Sequence, residues 1–304
     1  MTSYLVVGAG LIGTSVARLL ADRGDTVTVA TRRGTAVPGT TAVSLEASDA
    51  ERLADAASGS FAIINCVNPP YGQWETLWPP VFAALVEAAR RSGAALVTMG
   101  NLYQYGRATM PMTEHSPDQP ADAKGEIRRA GWQLAKDAHD RGEIRAVEVR
   151  ASDYFGPGAG PTAHLGARFF TPVLTGGTAR VVGDPTLAHS WAYLPDIAKT
   201  IVAAIDYEGQ WGRVWHVPAA SDLSRTTILD QLRIGYGATG KLSPYPPGML
   251  AAVGLFSRDI REVSRSSYQF RMPFVNTADD TQRELGVTAT PWPDALSATV
   301  ASYR

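Results

Sequence analysis

The segment Gly-Asn-Leu-Tyr-Gln-Tyr-Gly at residues 100–106 places one amide and two phenols directly after the apolar run 94–99. The amide of Asn101 can donate a hydrogen bond to a developing oxyanion, and the phenol of Tyr103 can exchange a proton. These two residues are two positions apart, so on a strand both side chains face the same side of the sheet. We therefore predict the mouth of an active site here, with ordinary aromatic packing at a strand end as the alternative.

A second chemical motif stands near the start of the chain. A strand pattern at residues 4–7 leads into Gly8-x-Gly10-x-x-Gly13 and then into a helical pattern. In such a unit the glycines permit a tight turn, close approach to a pyrophosphate and packing of the helix on the strand. The amides at the helix N-terminus then face the phosphates. This arrangement predicts a dinucleotide-binding site.

The end of the next strand indicates which dinucleotide binds. The apolar run 26–30 is followed by Thr31, Arg32 and Arg33, with no acid at the position where an NAD-binding unit carries one for the ribose hydroxyl. Guanidinium groups suit a 2′-phosphate, so we predict NADP(H) in preference to NAD(H). The alternative is that both arginines simply lie in solvent.

These motifs require a sheet to hold them. Apolar runs at 4–7, 26–30, 61–67, 94–99 and 145–149 alternate with helical stretches. This rhythm predicts an α/β protein with a Rossmann-type, doubly wound parallel sheet. We expect a dinucleotide-binding domain over 1–150.

After residue 150 the pattern becomes rich in glycine and proline, with isolated strands at 180–182 and 214–217 and helices near 195–206 and 225–235. These features predict a smaller, irregular substrate lobe over 151–304, parts of which return to the sheet.

Composition excludes several classes of partner. The chain has 28 basic and 29 acidic residues and a net charge of -1, which leaves no field for a nucleic acid or an acidic membrane surface. The lone cysteine, Cys66, excludes an internal disulfide and lies in an apolar run, as an inert thiol would. No stretch resembles a signal segment or a membrane span, so a cytoplasmic location is expected. The histidines show no metal-ligand spacing, and no metal is expected.

Longer segments carry a family resemblance. With the glycine loop at residue 8, YFGPG at 154–158, GDPTLAHSWAYLPDIAKTI at 183–201 and RVWHVP at 213–218, the chain resembles the extended short-chain dehydrogenase/reductases, the NAD-dependent epimerase/dehydratase family. The resemblance implies a nicotinamide cofactor. It also implies a Ser-x-x-x-Tyr-Gly segment and a later Tyr-x-x-x-Lys helix. In that family the helix tyrosine exchanges the proton, and the lysine holds the nicotinamide ribose.

The chain departs from this pattern at each catalytic position. Asn101 stands at the family serine, Lys124 at the tyrosine and Arg128 at the lysine. Residues i and i+4 of a helix share a face, so Lys124 and Arg128 should point together towards the cofactor. We therefore predict Asn101, Tyr103 and Lys124 as the catalytic set, with Tyr103 or Lys124 as proton donor. Tyr105 matches a family tyrosine that is structural.

The substrate positions depart as well. The resemblance implies an Asn and an Arg that bind a sugar-nucleotide diphosphate, and here they are Asp153 and His189. A carboxylate repels a diphosphate, so a nucleotide-sugar substrate is not expected, and aromatic residues suit a small, partly apolar molecule. The predicted substrate contacts are Tyr71, Trp74, Asp153, Tyr154, His189 and Trp191. The predicted cofactor contacts are Gly8, Gly10, Leu11, Ile12, Gly13, Thr31, Arg32, Arg33, Val67, Asn68 and Arg128.

Three functions remain open at this point. The favoured one is an NADPH-dependent reductase of a carbonyl, imine or activated alkene in a small non-nucleotide substrate. The second is an epimerase or dehydratase that reduces and re-oxidises its cofactor within a turnover. The third is a non-catalytic NADP(H)-binding sensor. The sequence does not determine the substrate, the direction of reaction or the oligomeric state, and a homodimer stays open.

Overall fold

The computed structural model describes residues 1–108, 110–246 and 248–304. Its strands are β1 (Ser3–Val7), β2 (Thr26–Thr31), β3 (Thr41–Ser44), β4 (Ala62–Asn65), β5 (Ala95–Asn101), β6 (Ala146–Ala151), β7 (Asp153–Phe155), β8 (Thr178–Val181), β9 (Trp191–Tyr193), β10 (Val214–His216), β11 (Ala219–Ser221) and β12 (Lys241–Pro244). Seven of them form one parallel sheet in the order β10-β6-β5-β4-β1-β2-β3. The predicted Rossmann-type α/β fold is therefore confirmed.

Helices cover both faces of this sheet. The α-helices of the described residues are α1 (Leu11–Asp22), α2 (Ala50–Ala56), α3 (Trp74–Ser92), α4 (Ala123–Asp140), α5 (Ala167–Leu174), α6 (Leu194–Asp206), α7 (Arg225–Tyr236), α8 (Met249–Gly254), α9 (Arg258–Arg265) and α10 (Trp292–Ala301), of which α1, α2, α3, α4 and α6 pack on this sheet. Alternation along β1 divides the core, because successive strand side chains point to opposite faces. Val6 packs in the cluster that holds α1 and α6, and Leu5 packs in the cluster that holds α2, α3 and α4.

The sequence analysis missed one strand of the main sheet. Strand β3 has three exposed residues out of four and lies at the edge, next to β2. An edge strand that faces solvent needs no apolar run, so the pattern that reveals the buried strands is absent there.

The second half of the chain builds a smaller layer against the carboxyl ends of the strands. Strand β10 returns to the main sheet and pairs in parallel with β6. The remaining strands form the small sheets β11-β9-β7 and β12-β8. Helix α9 lies against the short turn Tyr71–Gln73, where the Gly72 amide donates a 2.7 Å hydrogen bond to the carboxylate of Asp259. Residues 71–73 are thus held between α3 and the C-terminal half.

In the part of the chain that the structure describes, no helix combines the length and the apolar character needed to cross a membrane.

Candidate active site

The glycine loop connects β1 to α1 in a conformation that side chains would block. Gly8 has a φ of 101°, and a Cβ there would lie 2.8 Å from the Cys66 carbonyl oxygen. A Cβ on Gly13 would lie 2.0 Å from the Gly8 carbonyl oxygen, so Gly13 lets α1 pack on the loop. Gly10 caps α1 without a side-chain hydrogen bond, and nothing lies within 4 Å of the place where its Cβ would be. The loop therefore leaves open space in front of free helix amides, as phosphate binding requires.

A cavity of about 380 Å³ opens beside this loop. Its walls come from the ends of β1, β2 and β4, from the segment after β3 and from α3. The lining consists of residues 7–10, 30–33, 35, 45–48, 66–70, 77, 80 and 81. The predicted residues Gly8, Gly10, Thr31, Arg32 and Arg33 all belong to this lining. We refer to it below as the cofactor cavity.

Arg32 and Arg33 lie exposed on the rim of the cofactor cavity. Neither guanidinium donates a hydrogen bond to the described part of the chain, whereas the Arg32 carbonyl accepts one of 2.9 Å from the hydroxyl of Ser44. The backbone is thus fixed while the guanidinium groups stay available to a ligand. Glu46 and Ser48, which the sequence analysis missed, also line this cavity. They follow the unpredicted strand β3, so the sequence carried no signal for them.

A second cavity, of about 120 Å³, adjoins the first. Cys66, Val67 and Asn68 line both. The complete lining of the second consists of residues 12, 66–68, 71, 74, 99–103, 128, 151–154, 269 and 274. We call it the substrate cavity. It lies beyond the carboxyl ends of β4, β5 and β6, where ligands bind in open parallel sheets.

Four of the predicted cofactor contacts lie outside the lining of the cofactor cavity. Two of them, Ile12 and Arg128, line the substrate cavity instead. Leu11 lines neither cavity and is 42% exposed, and Gly13 contributes by letting α1 pack on the glycine loop.

The Cys66 thiol, which lines both cavities, has its pKa raised to about 12 by burial, so it remains protonated at neutral pH.

Asn101 and Tyr103 both line the substrate cavity, but not because they share a strand face. Strand β5 ends at Asn101, and residues Leu102–Tyr105 form a 3-10 turn. The Asn101 side-chain oxygen accepts a 3.1 Å hydrogen bond from the Tyr103 amide and caps that turn. The prediction that Asn101 and Tyr103 lie on one strand face was therefore wrong, because Tyr103 lies beyond the end of the strand. The turn, rather than the pleat, brings both side chains to the cavity.

The phenol of Tyr103 has a partner that the sequence analysis did not identify. Its hydroxyl oxygen lies 2.9 Å from that of Tyr71, and both residues line the substrate cavity. Burial raises the pKa of Tyr71 to about 12 and raises the pKa of Tyr103 well above its usual value. Both phenols are therefore neutral at neutral pH, which suits the donation of a proton or a hydrogen bond.

Lys124 is not in the substrate cavity, which corrects its prediction as a direct proton donor. The residue is 1% exposed, and its ammonium group donates a 2.6 Å hydrogen bond to the Glu262 carbonyl oxygen in α9. The same nitrogen lies 4.5 Å from the ring centroid of Tyr71. Burial lowers the pKa of Lys124 to about 8. The Tyr71 ring thus links this ammonium to the substrate cavity.

Arg128 does line the substrate cavity. Its guanidinium lies between Trp74 and Trp78, at 4.8 and 4.2 Å from the ring centroids, and donates a 3.2 Å hydrogen bond to the Met99 carbonyl. Burial lowers its pKa to about 10, so it remains charged at neutral pH. The buried Nε has no hydrogen-bond partner within the described residues. An unpaired buried donor is costly, which indicates room for an acceptor from a ligand.

The predicted substrate residues separate into two groups. Tyr71, Trp74, Asp153 and Tyr154 line the substrate cavity. His189 lies behind it and donates a 2.8 Å hydrogen bond from Nε2 to the Asp153 carboxylate. Trp191 is fully buried, and its indole donates to the Leu223 carbonyl, so its assignment to the substrate was wrong. Both residues belong to a packed aromatic layer in the second half of the chain.

Tyr105 lines neither the cofactor cavity nor the substrate cavity and instead stabilises the packing between the 102–105 turn and β10. The Tyr105 hydroxyl is buried and lies 2.7 Å from Nε2 of His216 in β10. Because Nδ1 of His216 lies 2.7 Å from the Thr277 carbonyl, this nitrogen carries the proton and Nε2 accepts from the phenol.

Within the described residues, no group of three or more His, Cys, Asp or Glu side chains is arranged to hold a metal ion.

Fold and site together define the class of protein. The family model of the NAD-dependent epimerase/dehydratase family matches residues 4–217, so the chain belongs to this family of extended short-chain dehydrogenase/reductases. A search of curated protein sequences found no significant match.

Solved structures of the same fold cover the chain from end to end. A dTDP-glucose 4,6-dehydratase double mutant from Streptomyces venezuelae, with NAD bound, has 20% identity and a TM-score of 0.80, covering 100% of this chain and 97% of that one. UDP-glucose 4-epimerase from Thermus thermophilus, in complex with NAD, has 17% identity and a TM-score of 0.78, covering 100% and 99%. UDP-N-acetylglucosamine 4-epimerase from Methanobrevibacter ruminantium has 14% identity and a TM-score of 0.80, covering 99% and 98%. At these identities the likeness concerns the fold.

Proposed function

We propose that this protein is a nicotinamide-dinucleotide-dependent enzyme that acts on a small, non-nucleotide substrate by the type of reaction for which its family is named. When bound, the cofactor would supply a reversible hydride acceptor, so that the substrate is oxidised and reduced again within one turnover. The observation that carries the proposal is the adjoining pair of cavities, which share Cys66, Val67 and Asn68. One cavity has the glycine loop, and the other has a carboxylate and phenols that can donate a proton.

The residues present fit such a cofactor. The Gly10 position leaves space before the N-terminus of α1 for a pyrophosphate, and the cofactor cavity has the size of a ligand pocket. Arg128, whose Nε is unpaired among the described residues, would contact the ribose next to the nicotinamide. Arg32 and Arg33 support NADP(H), whereas the structural neighbours solved with NAD support NAD(H). We retain NADP(H) as our proposal, because it rests on this chain's own residues.

The substrate cavity holds two proton donors and one ionised carboxylate. The neutral phenols of Tyr71 and Tyr103 can donate to an oxygen or nitrogen of the substrate. Burial opposes the ionisation of Asp153, but the hydrogen bond from His189 contributes to lowering its pKa, so this carboxylate is ionised at neutral pH. Reduction of a carbonyl needs a proton donor beside the substrate oxygen, and either phenol can fill this role. The cavity therefore offers a proton donor without the family's Tyr-x-x-x-Lys pair.

Asp153 and His189 argue against a nucleotide sugar as the substrate. The resemblance places two diphosphate-binding side chains at residues 153 and 189. In this protein they are a carboxylate and an imidazole that hydrogen-bond to each other. A carboxylate repels a phosphate group, and the imidazole nitrogen nearest the site is already engaged. We therefore expect no tight binding of UDP- or dTDP-sugars, a result that isothermal titration with a small panel can test.

An NADPH-dependent reductase is the second candidate, and Arg32 and Arg33 on the cofactor cavity favour it. The two candidates differ in whether the cofactor is consumed: a reductase uses one NADPH per turnover, and an epimerase or dehydratase uses none. A metabolite-extract screen should be run once with trace cofactor and once with excess NADPH, with products read by mass spectrometry. An isomerised or dehydrated product formed with trace cofactor supports the main proposal, and net NADPH consumption supports the reductase. Tight binding of both cofactor forms with no product across the screen would overturn both in favour of a sensor.

A further inference from the structure

Asp153 places a carboxylate in the substrate cavity, and only one of its two oxygens accepts a hydrogen bond from the described residues. Its side chain is 14% exposed and lines the cavity at the start of β7. One oxygen, Oδ2, accepts the hydrogen bond from His189. The other, Oδ1, has no partner among the residues described in the structure and is not sealed from the cavity. A nearly buried carboxylate oxygen without a protein donor indicates a place for a donor from the ligand.

The surroundings of this oxygen are aromatic. The side chains of Tyr71, Trp74, Tyr103 and Phe274 line the same cavity. Asp153 is among the charges that raise the pKa of Tyr71 and Tyr103, so its field reaches both phenols. Aromatic faces beside a carboxylate form the environment in which proteins bind ammonium groups. A cationic ligand would pair directly with the carboxylate at Oδ1, and a neutral ligand would not.

The nearby cationic groups of the protein are engaged elsewhere. Arg225 donates hydrogen bonds to the carbonyls of Val182 and Asp184, and its guanidinium lies over the Phe270 ring. Arg128 donates to the Met99 carbonyl between its two tryptophans, on the side where the resemblance places the nicotinamide ribose. The ammonium of Lys124 donates to the Glu262 carbonyl.

His164, the remaining titratable neighbour of Asp153, is not a competing cation. Burial lowers the pKa of His164 to about 4, so its imidazole is neutral at neutral pH. Of all these groups, only the imidazole of His189 donates a hydrogen bond to the carboxylate. Oδ1 is therefore left for a donor that the described residues do not supply.

We propose that the substrate carries a protonated nitrogen, which donates a hydrogen bond to Oδ1 of Asp153 and packs against the phenol and indole rings of the substrate cavity. This inference rests on the proposed function, because it concerns the same cavity. It narrows the substrate class from small non-nucleotide molecules to amines and other cationic nitrogen compounds. His189 is a positioning residue, since it holds the other carboxylate oxygen.

The test compares two small probes of nearly equal shape. Benzylamine is protonated at neutral pH and benzyl alcohol is not, so the difference between them isolates the charge. Isothermal titration should use the protein saturated with NADP+. A charge-assisted hydrogen bond predicts that benzylamine binds about 10- to 100-fold more tightly than benzyl alcohol. Equal affinities, or tighter binding of the alcohol, would overturn the proposal.

A variant then assigns the effect to one residue. Asp153→Asn keeps the shape and removes the charge, so it should abolish the preference for benzylamine and leave benzyl alcohol within about threefold. Asp230→Asn, on the exposed face of α7, is the matched control and should keep the preference. A preference that survives in Asp153→Asn also contradicts the proposal. If that variant does not fold, the relative affinity of the native protein for benzylamine and benzyl alcohol still tests the proposal.

The cofactor must be titrated separately, because the two proposals can fail independently. Failure of the native protein to bind either NADP+ or NAD+ would refute the proposed function. Normal cofactor binding without a preference for the amine would refute only the present inference.

Discussion

The cofactor cavity and the substrate cavity are assembled in opposite ways. The cofactor cavity draws its whole lining from residues 7–81, in consecutive strand-helix units at one edge of the sheet. The substrate cavity draws on segments from residue 12 to residue 274 and contains side chains from both halves of the chain. The first keeps the glycine pattern of its family. At the positions where the resemblance implies the serine, tyrosine and lysine of the second site, this chain has Asn101, Lys124 and Arg128. A motif within one short segment is thus easier to recognise than a site built from distant segments.

The strongest test of this contrast is the phenol pair in the substrate cavity. If one phenol protonates the substrate, its replacement by phenylalanine in Tyr71→Phe or Tyr103→Phe should slow hydride transfer by about 10² to 10⁴. Lys124→Met should have a smaller effect, because the ammonium lies outside the cavity against the Tyr71 ring. Single-turnover rates at saturating cofactor measure this once a substrate is known.

Tyr245→Phe removes a phenol that lines neither cavity and serves as the control for the pair. Near-native rates in both Tyr71→Phe and Tyr103→Phe would exclude the pair as the proton donor. Bound water or the substrate itself would then have to supply the proton.

The next largest effect separates folding from binding within the glycine loop. In Gly13→Ala the new Cβ meets the Gly8 carbonyl oxygen at 2.0 Å, so we expect a loss of about 3 kcal/mol in the free energy of unfolding. Gly10→Ala meets nothing within 4 Å and should keep native stability while weakening cofactor binding. Urea unfolding and cofactor titration on both variants provide the measurement. Equal stability losses in the two variants would show that the loop geometry is not as described.

Arg32 and Arg33 test the cofactor cavity alone. Removing one charge-assisted phosphate contact should cost about 1.5 to 3 kcal/mol of NADP(H) affinity and leave NAD(H) affinity unchanged. Titration of Arg32→Ala and Arg33→Ala with both cofactors measures this, with Arg180→Ala, outside both cavities, as the control. A native protein that prefers NADH, with variants that keep this preference, would contradict the NADP(H) assignment.

The smallest effect concerns His216, which joins strand β10 to the turn that carries Tyr103. Burial lowers the pKa of His216 to about 3, well below the value near 6.5 of an unfolded chain. Below pH 6.5 the unfolded state therefore binds more protons, and stability falls as the pH falls. The expected loss from pH 7 to pH 5 is roughly 2 kcal/mol.

Urea unfolding of the native protein and of His216→Gln at the two pH values checks this prediction. The variant should lose less stability on acidification than the native protein does. An identical pH dependence in native protein and His216→Gln would show that His216 is not responsible.

Much of the fold and of the cofactor cavity could be predicted from the sequence. Gly8, Gly10 and Gly13, the two arginines after β2 and the buried strands all follow from patterns within a few residues. Such patterns are reliable because backbone geometry and burial act locally: a strand alternates, and a glycine turn fits only glycine. Strand β3 was missed because it is short, exposed and at an edge.

The substrate cavity depended on contacts that no local pattern contains. Helical spacing placed Lys124 and Arg128 on one face, but α9 supplies the Glu262 carbonyl that draws the Lys124 ammonium out of the cavity. The pairing of Tyr71 with Tyr103 joins residues 32 positions apart, and that of Asp153 with His189 joins residues 36 apart. The sequence determined which groups are present and on which elements they lie. Only the tertiary structure decided which of them meet, because such contacts depend on how separate elements and loops pack together.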